Sequence, residues 1–282
     1  MSNVLIMADR PMGLYHADCA ISPTKLKNFM AHPPAWFKAR YIDKTITEDD
    51  KPAFALGRYV HTIVLEGIDT ALTQYAISPK FDRRTKQGKL DAEAFEVANL
   101  GKHLVTEDDH DLAERLHAAV RANPIACDLL AQGAPEMTFR HEIIAAMPMQ
   151  CRPDWYSAEP CRWSDGYSYV VNLKTCDGIN DFEKHAQKFG YFLSEAFARS
   201  VIADCVPDGR PTRHFFIAVD KQAPHGCAVF EADEITMDTA RKVVTRQLAK
   251  LRECIETNHW PAAPEGISRV SAPEWWIKEN EG

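Results

Sequence analysis

The stretch from Gln150 to Lys174 constrains the fold more than any other part of the sequence. It begins with Gln-Cys-Arg-Pro-Asp at 150–154 and ends with Val-Val-Asn-Leu-Lys-Thr at 170–175, and a polar insert lies between them. The runs on either side of the insert predict two strands whose ends bring an acid, an amide and a lysine together. The chain is therefore expected to build a sheet around these polar strand ends.

Length, charge and cysteine usage narrow the class of protein. The 282 residues are 45% hydrophobic and 26% charged, which predicts one globular domain over 1–282, with 1–20 as a partly ordered lead-in. The net charge of -7 means that nucleic acid would have to bind at a local basic patch. Eight cysteines without a Cys-x-x-Cys pair indicate reduced thiols. No apolar run approaches the ~20 residues of a membrane helix, so we expect a cytoplasmic protein with no membrane contact.

Two segments upstream of this stretch carry candidate binding residues. Residues 57–66 predict a helix with His61 beside its apolar face, where a lone histidine is most often an ordinary core or surface residue. Residues 81–89 predict a loop that ordinarily meets solvent but could hold DNA phosphates if it borders a cleft. Its basic residues are Arg83, Arg84, Lys86 and Lys89.

The segments on either side of the polar strand ends alternate between helical and extended patterns. The change to a period of two after Glu136 predicts a hairpin that runs through Ile143 and Ile144 to Arg152. A helix is predicted from about Asn180 to Val201, with Gln187 and Tyr191 four apart on one face. Other predicted elements are a helix that starts at Ser22-Pro23, helices at 91–100, 107–122 and 234–256, strands at 214–219 and 227–231, and an aromatic tail at 260–276 that packs on the body.

The residues at the strand ends suit metal-assisted cleavage of a phosphodiester. Magnesium prefers oxygen ligands and usually takes one or two carboxylates from a protein, which Asp154 and Glu136 can supply. Asn172 and Lys174 stand two apart on one strand and therefore face the same way. The ammonium of Lys174 could hold the attacking water or stabilise the phosphate. Such spacings also occur by chance in many chains, so the pattern alone leaves the function open.

A longer series of motifs is more specific than this spacing. The series consists of Tyr15-His16-Ala17-Asp18, Ser22-Pro23-Thr24-Lys25-Leu26, the segment 57–66, Phe81-Asp82-Arg83-Arg84-Thr85, Cys151-Arg152-Pro153-Asp154, Leu173-Lys174-Thr175, the pair Gln187 and Tyr191, and Trp260-Pro261. In these motifs and their order the chain resembles the nuclease domain of exonuclease VIII (RecE-type). That family is a branch of the PD-(D/E)xK superfamily close to the RecB-type nucleases.

The resemblance implies a fold, an activity and partners. The implied fold is α/β (α+β mixed), a restriction-endonuclease-like core with a central mixed sheet flanked by helices. The implied activity is Mg²⁺-dependent (Mn²⁺ possible) digestion of linear double-stranded DNA from its 5′ ends, leaving 3′ single strands for recombination. The implied partners are double-stranded DNA ends, a RecT-type single-strand annealing protein, and further copies of the chain in a homo-oligomer, a tetrameric ring. The proteins of this family are encoded by prophages.

The resemblance also implies roles for individual residues. Lys174, Asp154 and Glu136 would be catalytic, and His61 and Asp154 would bind the metal. Gln187 and Tyr191 would contact DNA together with the basic residues of 81–89. The family's second metal-binding acid falls on Asn172, which keeps an oxygen but lacks the charge on which magnesium affinity depends.

Three explanations of Asn172 are open at this point. It could be a deliberate inactivating replacement, a natural variant that has lost cleavage, or a position whose charge is supplied by Asp177 or Glu195. Two classes of function correspond to them: an exonuclease, active or weakened, and a catalytically inactive DNA-end-binding or protein-binding member of the same fold. A metal hydrolase that acts on a small phosphoester is a further alternative.

Overall fold

The computed structural model describes residues 4–8, 10–47, 53–142, 147–206 and 211–280, and within them a five-stranded mixed sheet carries helices on both faces. The strands are β1 (Val4–Met7), β2 (Tyr75–Ser78), β3 (His103–Thr106), β4 (Ala134–Pro135), β5 (Thr138–His141), β6 (Met149–Cys151), β7 (Trp155–Ser157), β8 (Ser168–Cys176), β9 (Thr212–Asp220) and β10 (Cys227–Phe230). The helices are α1 (Met12–Ala17), α2 (Pro23–Ala31), α3 (Pro34–Phe37), α4 (Ala53–Glu66), α5 (Ile68–Gln74), α6 (Lys86–Ala98), α7 (Glu107–Ala122), α8 (Pro124–Leu129), α9 (Phe182–Lys188), α10 (Tyr191–Cys205), α11 (Glu234–Thr257) and α12 (Glu274–Asn280).

The five-stranded sheet has the order β10-β9-β8-β7-β4 and confirms the expected central mixed sheet. β8 and β9 are parallel, and the other neighbours are antiparallel. Alternate residues of β8 point to opposite faces, as the pleat of a strand requires. Val171 and Leu173 pack with α4 and α7, whereas Val170 packs with α2, α10 and α11. Because both faces are covered, β9 is apolar from Phe215 to Val219, and the apolar run of β8 is interrupted only towards its end, at Asn172 and Lys174.

Most predicted helices are present, and the cap expected at Ser22 is formed. The Ser22 hydroxyl accepts a hydrogen bond from the Lys25 N–H at the start of α2. Thr106 caps α7, whose bounds match the prediction, and Asp233 caps α11 in the same way. The apolar face of α4 is buried through Tyr59, Val60 and Ile63, which fixes the orientation of His61 on the same helix. None of the helices that the structure describes is long and apolar enough to cross a membrane.

The hairpin of β5 and β6 belongs to a separate sheet with the order β1-β5-β6. The predicted hairpin is confirmed, although Ile143 and Ile144 lie outside the described residues. Within the expected lead-in, residues 4–7 form strand β1, which pairs with β5. The polar insert that precedes the strand of Lys174 is not a surface excursion throughout, because the short strand β7 lies at its start and pairs with β8. A strand of three residues is too short to give a clear period.

The single helix predicted from about Asn180 to Val201 is also wrong. A 3₁₀ turn at Ile179–Asp181 leads into α9, and the chain then breaks at Gly190 before α10 begins. Gly190 has a φ of 66°, a left-handed conformation that a helix interior does not permit. Gln187 and Tyr191 therefore lie on different helices and do not share one helical face.

The aromatic tail packs on the body only at its beginning. The ring of Trp260 stacks on Phe37 with a centroid distance of 6.2 Å, as the sequence predicts. The same prediction is wrong for Trp275 and Trp276, whose residues on α12 are 62% and 50% exposed.

Gly133 lies directly before β4, which leads to Glu136, and its replacement should disturb this edge of the sheet. Its φ is 123°, and an added Cβ would lie 2.4 Å from the carbonyl oxygen of Tyr156. We expect Gly133→Ala to lower the free energy of unfolding by about 3 kcal/mol or more, since both strain and a backbone clash result. Urea denaturation measures this change.

Gly101→Ala is the matched control for this prediction. Gly101 also has a positive φ, 88°, but an added Cβ would have no neighbour within 4 Å. Its replacement should cost only the conformational strain of about 1 to 2 kcal/mol. Equal losses in the two variants would show that the clash with Tyr156 contributes nothing.

Candidate active site

Three polar residues lie in one row across three neighbouring strands. Pro135 of β4 opposes Trp155 of β7, and Trp155 in turn opposes Val171 of β8. The adjacent positions in this register are Glu136, Asp154 and Asn172, and the Glu136 N–H donates to the Asp154 carbonyl oxygen at 3.1 Å. Cross-strand neighbours of this kind have Cβ atoms about 5 Å apart. The strand register, rather than nearness in sequence, thus brings these groups together.

Asp154 lies at the centre of this row and is held by two donors. Its Oδ2 atom accepts from the Leu173 N–H at 2.7 Å and from the Lys174 ammonium at 3.0 Å. Burial acts to raise the pKa of Asp154, but the Lys174 ammonium, His61 and the Leu173 N–H together lower it below its ordinary value. The carboxylate is therefore ionised at neutral pH and fixed in orientation.

His61 lies close to the same Asp154 oxygen. Helix α4 places the Nδ1 atom of His61 3.6 Å from the Asp154 Oδ2 atom. Burial and the nearby Lys174 lower the pKa of the His61 imidazole, although Asp154 acts in the opposite direction. At neutral pH the ring is therefore uncharged, which is the form that binds a metal ion.

Glu136 faces Asp154 but is paired with Arg152. Its φ of 56° is unusual for a residue with a side chain, and such strain is often found at functional sites. The Glu136 Oε2 atom lies 2.5 Å from the Arg152 Nε atom. Burial and the Asp154 carboxylate raise the pKa of Glu136 to about 7, and Glu66 adds to the effect. Glu136 thus gains or loses a proton near neutral pH.

Sequence reasoning gave no role to Arg152 or Glu66. Arg152 is two residues before Asp154, and Glu66 closes the helix that carries His61. Both lie inside motifs that carry the resemblance, which was the only signal for them in the sequence. The structure shows that Arg152 also donates to the Arg10 carbonyl oxygen at 2.9 Å, so it links the site to the N-terminal segment.

Asn172 is in contact with a buried acid. Its Nδ2 atom donates to the Glu195 Oε2 atom at 2.9 Å, and the other Glu195 oxygen pairs with the Nδ1 atom of buried His214. Carboxylate oxygens only accept from an amide, so the NH₂ group faces Glu195 and the Asn172 Oδ1 atom remains available to another partner. Asp177 instead pairs with Lys221 at 2.9 Å. Of the two acids considered for this position, Glu195 is the one that touches Asn172.

Lys174 is also held by its own strand and by an aromatic ring. Its ammonium donates to the Leu173 carbonyl oxygen at 2.9 Å and lies 5.6 Å from the centre of the Tyr191 ring. Burial raises the pKa of Tyr191 to about 12, so its hydroxyl stays protonated. Tyr191 is therefore part of the cluster, whereas Gln187 is exposed on α9.

The basic segment at 81–89 is only partly a loop. Thr85 caps α6, which begins at Lys86, so Lys86 and Lys89 lie on that helix and are exposed. Arg83 pairs with Glu96 at 2.7 Å and Arg84 pairs with Asp82 at 2.8 Å. These acids offset part of the positive charge that the sequence pattern indicates.

The oxygen and nitrogen ligands that these residues offer suit a hard cation that keeps several of its bound water molecules. In the part of the chain that the structure describes, no three His, Cys, Asp or Glu side chains already form a metal site. Asp154, the Asn172 oxygen and His61 nevertheless provide three possible metal ligands, and the Glu136 carboxylate can provide a fourth. Magnesium commonly takes only one or two protein carboxylates and retains water in its other positions. The residues present therefore fit Mg²⁺ or Mn²⁺.

Comparison with known proteins identifies the family and the fold of the chain. A family model described as "PDDEXK-like domain of unknown function (DUF3799)" matches residues 22–273. Among solved structures, a candidate exonuclease from Eubacterium rectale has the same fold, with a TM-score of 0.64, 13% identity, and coverage of 98% of this chain and 100% of that chain. No curated protein matches the chain. The chain thus belongs to this PDDEXK-like family and has the fold of the PD-(D/E)xK nuclease superfamily.

Proposed function

We propose that the protein is a Mg²⁺-dependent exonuclease that degrades linear double-stranded DNA in the 5′→3′ direction. The observation that carries this proposal is the contact of Lys174 with an ionised Asp154 that also lies beside a neutral His61. A carboxylate, a neutral imidazole and an ammonium at one sheet edge suit phosphodiester hydrolysis better than they suit a purely structural role.

The residues of the site would divide the work of this reaction. Lys174 holds the attacking water or a phosphoryl oxygen, because its ammonium is fixed in place by Asp154 and by the Leu173 carbonyl. Asp154, His61 and the Asn172 oxygen would hold the metal ion. Glu136 would be a further carboxylate, and its pKa of about 7 is close to neutral pH. When bound, Mg²⁺ supplies charge stabilisation for the phosphoryl oxygens and lowers the pKa of a bound water.

The direction and the biological setting of the cleavage belong to the same proposal and rest on the resemblance to RecE-type nucleases. Cleavage from the 5′ ends would leave 3′ single strands, onto which a RecT-type annealing protein would load during recombination. A ring-like tetramer of this chain would hold the duplex during repeated cleavage.

Digestion of labelled DNA tests the proposal directly. Linear duplex labelled at either the 5′ or the 3′ end is incubated with the protein in Mg²⁺, in Mn²⁺ and in EDTA, with a closed circular duplex as the matched substrate without ends. We expect the 5′ label to be released first, only from linear DNA and only with a divalent ion. Folded protein that leaves the linear duplex intact with both metals, as wild type and as Asn172→Asp, would overturn the enzyme proposal. Faster cleavage of a mononucleotide ester would indicate a small-phosphoester hydrolase.

A second candidate function is a DNA-end-binding or protein-binding module that does not cleave. The neutral Asn172, which adjoins Asp154 in the row and contacts Glu195, favours it, since magnesium affinity depends on ligand charge. This candidate predicts duplex binding in EDTA and no gain of cleavage in Asn172→Asp.

DNA binding by either candidate requires a basic surface, and Arg83 and Arg84 are the proposed members of that surface. We expect Arg83→Ala with Arg84→Ala to weaken duplex binding in EDTA and to reduce the slope of log affinity against log salt by up to about 2. Fluorescence anisotropy at several salt concentrations measures this slope. Arg241→Ala is the matched control, because Arg241 also pairs with a nearby acid but lies on α11. An unchanged slope in the double variant would exclude this segment from the binding surface.

A further inference from the structure

Phe189 is an exposed aromatic residue beside the candidate active site. Its apolar spacing with neighbouring residues predicts a buried position on one long helix, but the break at Gly190 turns it outward and leaves 47% of the residue exposed. The Lys27 ammonium donates to the Phe189 carbonyl oxygen at 3.2 Å and so ties the break to α2. The ring is therefore presented to solvent by a fixed backbone.

Contacts between aromatic side chains connect Phe189 with the Lys174 ammonium. The Phe189 ring stacks on Tyr191 at 6.0 Å with an interplanar angle of 24°, and it also contacts the His185 ring at 4.5 Å. Tyr191 is the residue whose ring lies 5.6 Å from the Lys174 ammonium. A single ring thus separates exposed Phe189 from the lysine of the candidate active site.

The charges around Phe189 match a nucleic acid strand. Lys188 places its ammonium 5.6 Å from the centre of the Phe189 ring, and the Lys27 ammonium lies at the Phe189 carbonyl oxygen. Interleaved aromatic and basic side chains bind single strands, because bases stack on the rings and the cations attract phosphates. An isolated exposed phenylalanine would be ordinary, but this one has one lysine ammonium over its ring, a second on its carbonyl oxygen, and a ring contact with the tyrosine beside Lys174.

We propose that Phe189 is a stacking platform for the unpaired terminal base of the strand whose phosphodiester lies at Lys174. The inference rests on the proposed function and adds a substrate feature to it, namely an end that is frayed or single-stranded over at least one nucleotide. Loss of one base-stacking contact weakens binding of single strands by about 10-fold. The effect should be confined to ends that are unpaired or that open easily.

Fluorescence of 2-aminopurine tests the platform without cleavage. Duplexes with this base at the 5′ terminus, either paired in a GC-rich end or in a three-nucleotide overhang, are titrated with protein in EDTA. Wild type should quench the overhang base, whereas Phe189→Ala should lose the quenching and bind the overhang about 10-fold more weakly. Phe189→Trp should keep both properties, since its larger ring also stacks.

Tyr167→Ala is the matched control, because Tyr167 is another exposed aromatic but lies before the start of β8, at the opposite end from Lys174. It should leave quenching and affinity unchanged, and circular dichroism checks that each variant is folded. Equal quenching by wild type and a folded Phe189→Ala would overturn the platform and leave the nuclease proposal in place. Absence of any DNA binding by wild type would overturn both. A loss of affinity in Phe189→Ala without any quenching in wild type would assign the residue to another contact and overturn the stacking.

Discussion

Lys174→Met is expected to reduce cleavage of linear duplex by about 1,000-fold or more while Mg²⁺ affinity changes by only a few fold. Loss of one preorganised charge at a reacting phosphate commonly has an effect of about this size. The Lys174 ammonium contacts Asp154 Oδ2 at 3.0 Å, so its removal would free that oxygen rather than remove a ligand. Single-turnover digestion measures the rate, and calorimetry on the metal alone measures the affinity. A parallel loss of Mg²⁺ affinity would show that Lys174 acts through the ion.

The same variant should be less stable without metal. Asp154 would stay largely buried with one donor fewer, which costs about 1 to 3 kcal/mol. Thermal unfolding in EDTA should show the loss, and Mg²⁺ should recover more stability in Lys174→Met than in wild type. Lys221→Met is the matched control, because it removes a lysine that pairs at 2.9 Å with Asp177 instead. We expect it to change neither cleavage nor the metal dependence of unfolding.

The sequence was sufficient to predict the residues whose positions follow from strand periodicity. Asn172 and Lys174 lie on the same face of β8, because the apolar run predicts a strand and they are two residues apart in it. The Pro-Asp pair before β7 supplies Asp154. The cap of α2 was also predictable, since a serine followed by proline favours a helix start. The mixed central sheet with helices on both faces follows from these elements together with the resemblance.

The remaining features depend on contacts between distant segments. The register that aligns Glu136, Asp154 and Asn172 involves three strands, and two of them, β4 and β7, are too short to predict. The break at Gly190 was hidden because apolar spacing continues across it, although glycine is the residue that permits a positive φ. The exposure of Phe189 follows from that break. No local pattern in the sequence shows that Glu195 lies against Asn172.

Asn172→Asp is the variant that best separates the explanations of this position. An aspartate would place a carboxylate oxygen where the amide now donates to Glu195 at 2.9 Å, and two carboxylates at that separation repel strongly. We therefore expect the metal-free variant to lose about 2 to 4 kcal/mol of unfolding free energy. Mg²⁺ should bind about 10-fold more tightly than in wild type, since the added charge also faces the ion. Thermal unfolding with EDTA or Mg²⁺ and calorimetry on the metal alone measure both effects.

The double variant Asn172→Asp with Glu195→Gln tests the physical reason, because a glutamine amide can donate to the new carboxylate in a reversed form of the present contact. It should regain most of the stability in EDTA and keep the tighter Mg²⁺ binding. If cleavage rises at least 10-fold in Asn172→Asp, the rest of the site is competent and the missing charge alone limits it. If neither wild type nor Asn172→Asp cleaves although Mg²⁺ binds, the protein is a DNA-end-binding or protein-binding module. Loss of Mg²⁺ affinity in Glu195→Gln alone would instead assign the missing charge to Glu195, acting through the Asn172 amide.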